Sequence, residues 1–362
     1  MRWRWLTVGL LWLWAQPAGA QNIDWQLPPG FPPPAVPADN PMSAGKVALG
    51  ARLFREPRLS ITGSYSCASC HQSARAYTDG RAQAVGATGE LTRHSAMSLT
   101  NVAYNASYGW GDNSVQTLEA QMLQPLFNEH PIEMGLKGRE PALLRELAGD
   151  ASYRSAFAAA FPGSAGAVSI DHVIKAIASF ERTLISGRSA FDRYVFDDDR
   201  QALSAGAKRG MALFYSARGG CAQCHSGLNF AGPLRTREHA ESRALFANTG
   251  LYNVDGRGAF PATDRGLIEI TGRTADMGRM RVPSLRNIAL TAPYMHDGSL
   301  PSLAAVIEHY VLGGRQSPHG ATGGNRVIDR RIRRLDLSTA EQEDVIAFLN
   351  CLTDPDFLVL RN

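Results

Sequence analysis

Two short runs constrain this chain more than anything else in it: Cys67-Ala68-Ser69-Cys70-His71 and Cys221-Ala222-Gln223-Cys224-His225. Each is a C-x-x-C-H run, the attachment signature of c-type haem. The two thiols add to the haem vinyl groups, and the histidine that follows is placed beneath the iron as its proximal ligand. Together the runs use four of the five cysteines. A zinc site would bring closely spaced second pairs of Cys or His. A thioredoxin-like pair does not explain an adjacent histidine twice over. The pattern therefore implies two covalently bound haem c groups, one on Cys67, Cys70 and His71, the other on Cys221, Cys224 and His225. A chain of 362 residues, 44% hydrophobic, is long enough to wrap a compact domain around each.

The N-terminus reads as an export signal. Arg2 and Arg4 form a basic start, Leu6 to Ala15 a short apolar stretch, and Ala18-Gly19-Ala20 a small-residue cleavage site. Gln21 follows rather than Cys, so a lipid anchor is not indicated. With c-type haems, export implies the periplasm of a bacterium. No other stretch is long and apolar enough to span a bilayer, so the mature chain is expected to have no membrane span. Loss of Arg2 and Arg4 with residues 1–20 lowers the formal charge of +4 to +2. Two haems add about four propionate negatives. The balance excludes an electrostatically driven nucleic-acid partner. Cys351 is left over in the apolar stretch Val345 to Leu352 and is expected to be a buried, inert thiol.

Residues 21–41, rich in Pro and Gly, read as an extended arm with no core of their own. A helical pattern then runs from Ser43 into Gly50-Ala51-Arg52-Leu53-Phe54, and the first haem run follows. The same order recurs: a helix opens at Ser204, passes through Gly210-Met211-Ala212-Leu213-Phe214, and the second haem run follows. This echo is an internal repeat. It predicts a mainly α fold of two cytochrome-c-like helical haem domains with long loops, residues 42–195 and 196–362. Helical segments are expected at Pro141 to Phe161 and Ile170 to Ile185, with a polar boundary loop from Ser189 to Arg200. Residues 228–283 read as loop-rich. Ser302 caps a helix that Gly313-Gly314 stops, and Ser338 with Glu341 forms a capping box for the last helix.

The chain resembles the bacterial di-haem cytochrome c peroxidase superfamily, which includes MauG. The matching runs are the two haem motifs, Ala178-Ser179-Phe180-Glu181-Arg182-Thr183-Leu184, Val282-Pro283-Ser284-Leu285-Arg286-Asn287 and Thr291-Ala292-Pro293-Tyr294-Met295-His296-Asp297-Gly298. The arm Leu27 to Asn40, Asn40-Pro41-Met42-Ser43 and Asn128-Glu129-His130-Pro131 are similar to the MbnH-like subgroup. The resemblance implies a peroxidatic N-terminal domain and an electron-transfer C-terminal domain. It implies Glu133 as the acid–base group of peroxide cleavage, with Glu129 as rival, and Gln121 and Pro125 beside it. Ordinary members carry a histidine cap in the loop that here reads Ala84-Val85-Gly86-Ala87-Thr88-Gly89-Glu90, which has none; the nearest is His94. An open sixth position on the first iron is therefore expected.

For the second iron, spacing alone leaves Met277, Met280 and Met295 among the candidates for the sixth ligand. The resemblance places it on Tyr310, the MauG pattern. Helix phase agrees, since Leu303, Val306, Ile307 and Tyr310 share one face. Of six tryptophans, four lie in the leader, and Trp110 holds the position of the family's inter-haem relay. The family also holds a calcium ion between its domains. Its ligands would be Ser95, where relatives have asparagine, and the carbonyls of Thr291 and Pro293. The resemblance implies a periplasmic oxidoreductase that uses hydrogen peroxide, through high-valent haem, to oxidise an amino-acid side chain on a secreted protein substrate. The MbnH-like subgroup implies a tryptophan on a small secreted protein linked to copper handling. The alternatives are a conventional peroxidase fed by a small redox protein, and a di-haem electron carrier with no chemistry.

Overall fold

Two crossed helix pairs frame the protein, one for each haem run. The structure is a computed structural model and describes residues 23–164, 166–315 and 326–359. The expected leader, residues 1–20, lies outside them. The helices in chain order are α1 (Ala44–Phe54), α2 (Cys67–Cys70), α3 (Leu118–Phe127), α4 (Glu140–Gly149), α5 (Ala151–Ala160) and α6 (Ile170–Glu181). They continue with α7 (Ala190–Phe196), α8 (Ala205–Tyr215), α9 (Ile268–Thr271), α10 (Leu303–Val311), α11 (Thr339–Asn350) and α12 (Pro355–Val359). Two-residue strands β1 (Phe246–Ala247) and β2 (Met280–Arg281) pair antiparallel, Phe246 opposite Arg281. The mainly helical reading holds.

In the first half α1 packs on α6; in the second α8 packs on α11. The repeated G-x-x-L-F run explains both crossings. A Cβ on Gly50 would lie 1.9 Å from the Ala176 carbonyl oxygen, and one on Gly210 would lie 1.8 Å from that of Asp344. Only glycine lets the helix backbones come that close. Leu53 and Phe54 then bury in the first core, and Phe214 in the second. Serines at positions 43, 204, 302 and 338 accept a backbone N–H at the starts of α1, α8, α10 and α11. Each satisfies one of the unpaired donors of a first helical turn.

The structure corrects several local expectations. The segment from Pro141 to Phe161 is two helices, because Asp150 leaves the helical conformation and caps α5 through the N–H groups of Ser152 and Tyr153. The second segment stops at Glu181, short of Ile185. The expected boundary loop at Ser189 contains α7. Ser189 and Asp192 form a capping box, and Phe191 is buried in the second core. Asp192 also pairs with the fully buried Arg286 at 2.6 Å. Conversely, Phe357 of α12 returns to the first core and meets Tyr77. The arm is docked: Phe31 is buried, packs edge-on against Tyr104 at 6.1 Å, and lies 5.3 Å from the Arg286 guanidinium. Cys351 is only half-buried; its Sγ donates to the Ala347 carbonyl at 3.2 Å, and burial pushes its thiol up.

Candidate active site

The two haem runs present their histidines in the same way. His71 Nδ1 lies 2.9 Å from the Tyr77 carbonyl, and His225 Nδ1 lies 2.8 Å from that of Phe230. A ring whose Nδ1–H donates to a carbonyl is held in one orientation, with Nε2 free to ligate a metal. Burial pushes both imidazoles below the usual histidine range, so they are neutral, the ligating form, near pH 7. The backbones of Met97 and Pro283 meet the two rings from equivalent places. Those residues each precede an S-L-x-N-x-A run, at 98–103 and 284–289. This second repeat was missed in the sequence reading, although aligning the halves on the haem runs exposes it. Its asparagines, Asn101 and Asn287, are fully buried, left-handed, and meet at Ser186, which bonds to both.

Around the first run, the segment that carries Glu133 is clamped onto the loop of residues 84–90. The Ala87 N–H donates to the Glu133 carbonyl at 2.7 Å, and the Ile132 N–H to the Glu90 carboxylate at 3.0 Å. A Cβ at Gly86 would sit 1.9 Å from the Ile132 carbonyl oxygen, so close an approach requires glycine there. Glu133 lies near Cys70, and burial raises its carboxyl above the ordinary range. Glu129 is different: it is exposed and pairs with Lys137. Gln121 and Pro125 are half-buried on α3, and the Pro125 carbonyl accepts from the Met134 N–H at 2.9 Å. Below, Glu119 of α3 is held by Asn40 and Arg182, each at 2.6 Å. The arm and the Ser-Phe-Glu-Arg run thus position the helix that carries Gln121. His94 turns away from the loop, its Nε2 2.9 Å from Asp264, which also meets His296 Nε2 at 3.2 Å.

Around the second run lies a deep, mostly apolar cavity. Cys221, Cys224, His225 and Tyr310 all line it, as do Phe214, Leu303, Val306, Ile307, Val345 and Leu349. Tyr310 projects from α10 toward the two thiols, while Glu308 on the same helix is exposed. Met280 and Met295 also reach the cavity wall; Met277 does not line it. Arg281 lines the cavity, and its buried Nε has no hydrogen-bond partner among the described residues. An apolar slot between a histidine and a tyrosine, with both thiols at its edge and an uncompensated cation on its wall, fits a haem c group.

Trp110 lines that cavity from the first half of the chain. Its indole N–H donates to the Ser95 carbonyl at 3.2 Å, and its own carbonyl accepts from the Arg281 N–H at 2.7 Å. Ser95, Thr291 and Pro293 also border the cavity. The Ser95 hydroxyl faces the Met295 and His296 carbonyls at 3.4 and 3.5 Å, and the Thr291 hydroxyl donates to Ile288 at 3.1 Å. Mature protein recovered from a periplasm is expected to exceed its polypeptide mass by two haems. An intact mass showing one haem or none would remove the basis for both sites.

The sequence of residues 44–200 matches the family model of di-haem cytochrome c peroxidase. The methylamine utilization protein MauG of Methylorubrum extorquens is 34% identical over 337 residues, 93% of this chain and 85% of that protein. Cytochrome-c peroxidase IdrP1 of a Pseudomonas species is 34% identical over 361 residues, 93% of this chain and 88% of that one. Among solved structures, a MauG-like protein associated with microbial copper homeostasis superposes with a TM-score of 0.89 at 42% identity, covering 93% of this chain and 97% of the other. Likeness of this extent, over a fold with two haem-attachment runs in equivalent places, makes this chain an oxidoreductase of the di-haem cytochrome c peroxidase family, whose members carry two haem c groups.

Proposed function

We propose that this protein is a periplasmic MauG-like enzyme that uses hydrogen peroxide to oxidise an amino-acid side chain, a tryptophan in the first instance, on a secreted partner protein. The observation that carries the reading is the placement of Tyr310 on the wall of the cavity that holds His225. A hard tyrosine oxygen on the second iron suits an enzyme that stores oxidising equivalents. The haems, when bound on the two Cys pairs, supply the iron redox chemistry; the first is the peroxide site and the second the electron-transfer site. Glu133, half-buried near Cys70, accepts the proton of the inner peroxide oxygen and returns it to the leaving one. Gln121 orients the bound peroxide, and Pro125 walls the pocket against excess water. The loop of residues 84–90 holds no histidine and His94 is committed to Asp264, so neither would cap an iron held by His71. Ser95 and the carbonyls of Thr291 and Pro293, oxygen donors of the type calcium takes, complete the reading as the seat of a calcium ion between the domains.

Trp110 serves as the relay between the halves. Its indole is held by Ser95 and its backbone by Arg281, so the ring is fixed at the junction. Trp110→Phe keeps the packing bulk and removes the easily oxidised indole. It is expected to leave the reaction of peroxide at the first haem intact and to lower oxidation of the partner at least about tenfold, on the order of 1.4 kcal/mol in barrier. Stopped-flow spectra set beside product yields check this; undiminished yield would make Trp110 a packing residue.

The likeness to a protein associated with copper homeostasis points to a partner that handles copper. Incubating the enzyme with peroxide and the secreted products of neighbouring genes, then weighing those products, tests the proposal. A mass gain of oxygen on a tryptophan supports it. The similarity to IdrP1 favours a second reading, a conventional peroxidase fed by a small redox protein. Rapid peroxide turnover with a reduced cytochrome or copper protein, and no modified product, would establish that instead. A pure electron carrier would saturate both irons and lack a high-spin ferric signal.

A further inference from the structure

Arg281 stands on the wall of the cavity that His225 lines, and among the described residues no carboxylate pairs with it. It is the second residue of β2 and is only 6% exposed. Its backbone N–H holds the Trp110 carbonyl at 2.7 Å, and two residues on Pro283 meets His225. Arg281 lines the cavity that His225 and Tyr310 share. Nη2 lies 3.0 Å from the Met97 sulfur, a weak acceptor, and Nε is buried with no partner. Its neighbouring arginines differ. Arg286 is fully buried but pairs with Asp192 at 2.6 Å. Arg331, on the same cavity wall, pairs with Asp329 at 2.7 Å. Among the described residues, no ion pair neutralises Arg281.

An interior charge without a partner is strongly unfavourable. Burial lowers the Arg281 pKa to about 10, which still leaves it a cation at neutral pH. The charge must therefore be met by an anion that the described residues do not supply. A haem c in this cavity brings two propionate carboxylates, and the guanidinium fork matches a carboxylate with two parallel N–H donors. We propose that Arg281 is the anchor of a propionate of the second haem and holds that edge of the haem against Trp110. The inference rests on the di-haem reading above. A cation fixed at the haem edge favours the ferrous state, so Arg281 raises the reduction potential of the second haem. Arg281 thereby has two positioning duties, one through its backbone on Trp110 and one through its side chain on the haem.

The test uses holoprotein purified from a periplasm, with the intact mass read first. Absence of two haems in the wild type would fail the di-haem reading, not this inference. Spectroelectrochemical titration then compares wild type, Arg281→Gln and Arg281→Lys. The second haem is told from the first by its low-spin signal. Arg281→Gln is expected to shift the reduction equilibrium of the second haem at least tenfold toward ferric, about 59 mV for one electron, and Arg281→Lys to keep the wild-type value more closely. An unchanged potential at the second haem, or a shift confined to the first, overturns the proposal. Should Arg281→Gln fail to yield holoprotein, resonance Raman of Arg281→Lys decides. A point charge in place of the fork should shift the propionate bending band, and an unshifted band overturns the proposal.

Discussion

Glu133→Gln is expected to slow the reaction with hydrogen peroxide about 10²–10⁴-fold while leaving both haems attached. The amide keeps the size and most of the polarity of the side chain but cannot take a proton from the inner oxygen of peroxide. Two features of the site make the effect large. Glu133 is anchored through its own backbone by Ala87, which fixes the point from which its carboxylate reaches. Its one sequence rival, Glu129, is exposed and occupied by Lys137. The pH profile gives an independent reading. Glu133 works as a base only when ionised, and burial raises its pKa. The wild-type rate should therefore rise with pH through an inflection above the ordinary carboxylate range, and the Gln variant should lack that inflection. Stopped-flow mixing of the ferric protein with peroxide across pH checks both. A wild-type rate in the variant would assign the proton transfer elsewhere.

Tyr310→Met is expected to raise the reduction potential of the second haem on the order of 0.3 V, a fraction of the roughly 0.8 V that axial ligands span. A thioether favours the ferrous state, whereas a tyrosine oxygen is a hard donor that favours ferric and higher states. The wild-type ferric protein should consume peroxide without prior reduction. The variant should lose partner oxidation and retain at most slow peroxide turnover. Buried as it is beside Cys221 and Cys224, the free phenol is pushed to a raised pKa. Only a bound metal cation would draw the proton off at neutral pH, so an absorption change tied to haem loading is a further signature. Met280 and Met295 also reach the cavity wall. If Tyr310→Met leaves the potential unmoved, one of them is the ligand. If the untreated protein is inert toward peroxide until one electron is added, the conventional peroxidase reading replaces the MauG-like one.

Much of this molecule is written locally. The two haem runs, the serine caps at 43, 204, 302 and 338, and the capping box at Ser338 and Glu341 all act over four or five residues, and each is found where the sequence puts it. The repeated G-x-x-L-F run belongs to the same class. Its glycine marks a close helix crossing in both halves, although the residue it crosses, Ala176 or Asp344, is not legible from the run itself. The polar run from Ser189 to Arg200 reads as a loop in the sequence. In the fold Asp192 turns inward to cap α7 and to neutralise Arg286, 94 residues away.

The sequence by itself determined that the chain has two C-x-x-C-H runs, the attachment signature of the two haem c groups its family carries, and that the surrounding scaffold is helical. Covalent chemistry and helix capping depend on neighbours along the chain, and those neighbours are visible in the letters. Only the tertiary structure decided which of two nearby glutamates is withdrawn from solvent, which side chains share the cavity with His225, and that among the described residues Arg281 lacks a counter-charge while Arg286 and Arg331 have theirs. Desolvation and ion pairing depend on what folding brings within a few ångströms from distant parts of the chain. No local pattern of residues encodes that proximity.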